Sequence, residues 1–196
     1  MSDGSADGGV TDAGGAGGVG DAGGAGGVGD AGGAGGVGDA GGAGDAGDKT
    51  TLSMTVLMTP DMANFSGNVH GGTLLKLLDQ VAYACAARYA GTYVVTLSVD
   101  RVLFREAIHV GDLVSFSASV NYTGTTSLEV GIRVDTENIR SGTRRHTNSS
   151  YFTMVAVDEQ GHPVAVPPLR PTTEIARRRF DQARARRVAL REAFSG

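Results

Sequence analysis

The chain has 196 residues, 40% of them hydrophobic, with one cysteine, no tryptophan and a formal net charge of −4. That length allows one domain with a sizeable core, and a lone cysteine excludes a disulfide scaffold. No stretch reaches the roughly 18 apolar residues of a membrane helix, and the first residues lack the basic and apolar regions of a secretory leader. The expected setting is the cytoplasm.

Residues 1–48 are a different material from the rest: they hold 22 of the 32 glycines, eight of the 21 acidic residues and no lysine or arginine. The repeated GDAGGAGGV unit offers only alanine and valine to bury, too little to offset roughly 1–2 kcal/mol of backbone entropy per ordered residue. This segment is predicted to be a disordered acidic tail. Its nine-residue period is that of calcium-binding nonapeptides, but the aspartate falls one position early and no large apolar residue follows it. The remaining 13 acidic residues face 17 basic ones, so the body carries +4, which suits an anionic ligand and is also ordinary for a soluble domain.

In the body, Leu52, Met54, Val56 and Met58 alternate with mostly polar neighbours and predict a first strand, ended by Thr59-Pro60-Asp61. A polar loop leads through Gly71-Gly72 into a helix to about Tyr89. Leu74, Leu78, Val81, Ala82, Cys85 and Tyr89 share one face of it, and Gly91 ends it. Four long strands follow, Tyr93 to Phe104, Leu113 to Thr123, Ser127 to Ile139 and Arg144 to Val157, separated by turn chemistry that favours antiparallel neighbours. One apolar helix before such a sheet predicts an α+β domain over residues 50–170 whose curved sheet wraps the helix. Residues 171–196 are predicted to form a separate Arg-rich helix, with Glu174 and Arg178 as an i,i+4 pair and the arginines scattered in solvent.

Chemistry concentrates between Asn64 and Asp79. A helix start leaves backbone N–H groups unpaired, and Gly71-Gly72 would let an acyl oxygen approach them as an oxyanion site. Asp79 interrupts a run of leucines about two turns later, either as a fixed base or nucleophile or as a carboxylate at the helix margin. Asn64 reads as a residue orienting water or carbonyl, or as an ordinary loop residue. His70 reads as a base or as a cap beside the helix start. Arg101, Arg105, Arg144 and Arg145 stand on predicted strands or their ends, where they could grip ligand phosphates. His109, His146 and His162 form no metal-ligand spacing, and no metal is expected.

Pro60-Asp-Met-Ala-Asn64, Gly67-Asn-Val-His-Gly-Gly72, Leu77-Leu-Asp79, Val95-Thr-Leu-Ser-Val-Asp100, Val110-Gly-Asp112 and Tyr151-Phe-Thr-Met-Val155 together resemble the hotdog-fold acyl-coenzyme A thioesterases, nearest to the cytosolic long-chain acyl-CoA hydrolase type. The resemblance covers about Thr51 to Pro168. It implies hydrolysis of fatty acyl-CoA with Asn64 and Asp79 as the catalytic pair and no cofactor beyond the CoA of the substrate. It further implies a homodimer with sites at its interface, assembled into a homohexamer. His146, Thr147 and Asn148 are more polar than is usual in the matching stretch, which leaves chain-length preference open. The rival readings are a non-catalytic module that senses acyl-CoA and, last, a hydratase of the same fold. No nucleic-acid partner is expected.

Overall fold

A computed structural model of the chain describes residues 48–100, 102, 104 and 106–194, the side chains of 191, 193 and 194 excepted. The tail reading for residues 1–47 and the candidates Arg101 and Arg105 lie outside these residues. Five strands, β1 (Thr51–Leu57), β2 (Tyr93–Asp100), β3 (Asp112–Thr123), β4 (Ser127–Asn138) and β5 (Thr143–Val157), pair antiparallel in the order β1-β3-β4-β5-β2. Helix α1 (Gly71–Ala90) lies on one face of this sheet and helix α2 (Glu174–Phe194) follows the last strand. This is the predicted α+β hotdog arrangement.

The core follows from two periodicities. Leu74, Leu78, Val81, Ala82, Cys85 and Ala86 recur at helical spacing on α1 and are all buried. Alternate strand residues meet them: Val114 and Phe116 of β3, Val130 and Val134 of β4, Phe152 and Met154 of β5. Burying each larger side chain contributes on the order of 1.5–3 kcal/mol. Gly91 closes the helix in the left-handed region (φ 72°), its N–H donating to Ala87 O at 2.9 Å. Cys85 is fully buried, and burial pushes its thiol up to about 11, so it is a packing residue, not a nucleophile. Native protein should accordingly resist alkylation by iodoacetamide and react at one site once unfolded.

Two predicted features differ in the structure. Strand β2 stops at Asp100, paired with Tyr151, and neither Val102 nor Phe104 is in a strand. The Phe104 ring lies against Gly71 at the start of α1. The second difference is α2, which is docked and not solvated all round. Ala183 is fully buried, the Phe180 ring sits 5.1 Å from that of Tyr122, and Arg186 makes a bidentate ion pair with Glu129 at 2.6 and 3.1 Å. Glu174 and Arg178 form no ion pair among the described residues. Helix α2 therefore belongs to the same packed body as the sheet.

Candidate active site

The loop before α1 is stitched at both ends. Asn64 N donates to Asn68 O at 2.6 Å, Val69 N to Ile108 O at 2.8 Å, and His70 N to Met62 O at 2.8 Å. Across to the β2–β3 connection, Asn68 Oδ1 and His109 Nδ1 lie 2.9 Å apart. Within the loop, Asn64 Oδ1 accepts from Ser66 N at 2.9 Å and Asn68 N at 3.1 Å, while Gly67 takes φ 76°, a conformation glycine adopts at little cost. The Asn64 oxygen is thus spent on its own loop. Its Nδ2 amide has no partner among the described residues, and Asn64 lines a cleft with Gly71, Leu74 and Phe104.

His70 is the N-cap of α1: its Nδ1 accepts from Gly72 N at 2.8 Å. The N–H of Gly72 is therefore engaged, which removes it as an oxyanion donor, and the capping nitrogen of His70 cannot at the same time act as a base. Gly71, whose N–H has no partner among the described residues, lines the same cleft. A side chain at residue 72 would crowd the imidazole, since a Cβ there would stand 3.0 Å from Nδ1. Replacing His70 by alanine should cost about 0.5–2 kcal/mol of stability, whereas asparagine, itself a good cap, should restore it. Thermal melts of the two variants beside their turnover separate a cap from a base, because a base would be lost in both.

Asp79 stands eight residues into α1, about 12 Å along the axis from Gly71. Thr96 of β2 donates from Oγ1 to Asp79 Oδ1 at 2.7 Å, which fixes the carboxylate while leaving its second oxygen open. The side chain is exposed in one protomer, in unusual company. Leu75 and Tyr83, one turn either side of it, are 40% and 39% exposed, and β2, an outermost strand, exposes Tyr93, Val95, Leu97 and Val99. Exposed apolar side chains on a helix beside an unpaired sheet edge are the kind of surface that association between chains covers.

The remaining arginine candidates are committed elsewhere. Arg145 donates to Asp112 Oδ2 at 3.1 Å, Glu106 Oε2 at 3.2 Å and the Ala107 carbonyl at 2.8 Å. Asp112 is 2% exposed, so this guanidinium answers a buried charge and braces the cleft wall formed by Glu106 and Ala107. Arg144 pairs with Glu137 at 2.6 Å on the outside of the β4–β5 hairpin. Neither offers a free cation to a phosphate.

A sequence profile for the thioesterase superfamily matches residues 66–143. An apo-hexameric acyl-CoA thioesterase superposes with a TM-score of 0.71 at 37% identity, covering 74% of this chain and 93% of that one. The chain belongs to the acyl-CoA thioesterases of this superfamily. Protein VdlD of Helicobacter pylori is 51% identical over 139 residues, 71% of this chain and 79% of its own length. The acyl-CoA hydrolase of Staphylococcus aureus, solved with butyryl coenzyme A and coenzyme A, is 28% identical with a TM-score of 0.65, covering 75% of this thioesterase and 94% of that chain. Alanine variants of that hydrolase were also solved, at an asparagine, at an aspartate 15 residues later and at a threonine 17 residues beyond that.

Thr96 is the partner of Asp79 that reading the sequence missed. The signal was there in weak form: Val94 and Thr96 alternate on the face of β2 that turns toward α1, so a hydroxyl occupied a core-facing position. Nothing local says which carboxylate it meets.

Proposed function

We propose that this thioesterase hydrolyses fatty acyl-CoA to free acid and CoA in a site shared by two copies of the chain. The observation that carries this reading is Asp79 held by Thr96 beside the exposed Leu75 and Tyr83 of α1 and the open edge of β2. Asn64, Asp79 and Thr96 repeat the asparagine, aspartate and threonine spacing of 15 and 17 residues in the Staphylococcus aureus hydrolase variants. Pairing two β2 edges about a two-fold axis would set the α1 helices side by side and antiparallel. The Asn64 donor and Gly71 N–H of one copy would then come toward Asp79 of the other, closing the gap of about 12 Å that separates Gly71 from Asp79 along one helix. Such dimers assemble further into the hexamer, and the reduced, buried Cys85 suits a cytoplasmic protein.

The chemistry asks little of the protein. Asp79 takes a proton from water as its oxygen attacks the thioester carbonyl; the carbonyl oxygen, gaining charge, accepts from Gly71 N–H and Asn64 Nδ2. The C–S bond then breaks and the thiolate departs, needing no strong acid because a thiol pKa is near 8.5. One positioned oxyanion donor typically contributes about 3–4 kcal/mol. Thiol release from acetyl-, octanoyl- and palmitoyl-CoA by the full-length protein tests the reading. Tight retention of acyl-CoA without release of free CoA would instead make the domain a sensing module.

A further inference from the structure

We propose a second binding site, for a phosphorylated ligand, in the cleft between α2 and the outer face of β3, β4 and β5. Strand alternation puts Phe116, Ala118 and Val120 against the core and Ser117 and Ser119 on the opposite face. The cleft therefore lies across the sheet from α1 and Asp79. Four guanidinium groups line it, from Arg133, Arg178, Arg179 and Arg186.

Two of these charges are already answered. Arg186 is held by Glu129 and lies 3.6 Å over the Tyr151 ring, and Arg133 donates twice to Asp135, both at 2.7 Å. The other two are not. Among the described residues Arg179 makes one hydrogen bond, to Ser119 Oγ at 3.3 Å, and Arg178 makes none. The cleft thus carries net positive charge, and Ser117 and Gln182 add polar side chains to its lining.

The floor beneath these cations is a built network. Asn121, 3% exposed, accepts from Ser119 Oγ at 2.9 Å and donates to Glu129 Oε1 at 3.2 Å, which in turn holds Arg186. Glycine at 131 makes room for it, since a Cβ there would collide with the Asn121 amide. Two planar forks and a hydroxyl, all donors with no uncommitted carboxylate among the residues lining the cleft, match a group with several acceptor oxygens and a double negative charge. That group is a phosphate or pyrophosphate, free or on a nucleotide.

Isothermal titration of the full-length protein with ADP and with inorganic pyrophosphate tests this. Wild type should bind saturably, more weakly as salt rises. The Arg178→Ala/Arg179→Ala variant should bind at least tenfold more weakly while its kcat and KM for acyl-CoA stay unchanged, and Asp79→Ala should bind ADP as wild type does. Either ligand order supports the site: tighter ADP identifies a nucleotide, equal affinities identify the phosphate groups alone. Absence of saturable binding, an unaltered double variant, or a matching rise in KM for acyl-CoA would overturn it. Because the readout is binding, this outcome is independent of whether Asp79 catalyses hydrolysis.

Discussion

Replacing Asp79 by asparagine should lower thioester hydrolysis by about 10²–10⁴-fold, the usual span for losing a general base. Asparagine keeps the size of the side chain and an oxygen able to accept from Thr96, whose hydroxyl donates at 2.7 Å. The fold should therefore survive, and a melting temperature close to wild type would show that chemistry and not packing was removed. Asp79→Ala should be as slow and also leave the Thr96 hydroxyl without its acceptor. The loss belongs in kcat, since the carboxylate acts on water and not on the CoA moiety. Unchanged kcat in Asp79→Asn would end the proposed mechanism. A single turnover in ¹⁸O-water adds one discrimination: label in the Asp79 carboxylate would mean that it attacks the carbonyl itself.

Asn64→Ala should cost a comparable factor, because one oxyanion donor is typically worth about 3–4 kcal/mol. Part of this could come through the loop, where Asn64 Oδ1 receives the N–H groups of Ser66 and Asn68. Asn64→Asp keeps that acceptor and removes the Nδ2 donor, so it should be as inactive as Asn64→Ala while melting nearer to wild type. Subunit mixing then decides where the site lies. If Asn64 of one copy works with Asp79 of the other, co-expressing the Asn64→Ala and Asp79→Ala chains gives mixed dimers with one intact and one doubly damaged site. Random pairing should restore roughly a quarter of wild-type turnover. A mixture as inactive as its parents would place both groups in one protomer, against their separation along α1.

Sequence by itself determined the elements and the core of this protein. Strand alternation, the apolar face of α1, Gly91 as its stop and the turn residues between long strands are local properties, set by steric preference and by which side of a segment avoids water. Asp79 was legible as a charge that interrupts a run of leucines.

Tertiary structure alone decided what the chemical groups touch. Thr96 meets Asp79 only because β2 folds back along α1, and Arg145 is withdrawn from any ligand because Asp112, far away in the chain, is buried beside it. Helix α2 looked like a solvated, arginine-rich segment because its hydropathy pattern cannot register Glu129 and Tyr151, partners on two different strands. The commitment of the Asn64 oxygen to its own loop and the choice of His70 as cap of Gly72 likewise emerge once hydrogen bonds are counted. Periodicity reports which face of an element is dry; the pairing of polar groups depends on sheet order and register, which join residues that no short window of sequence contains.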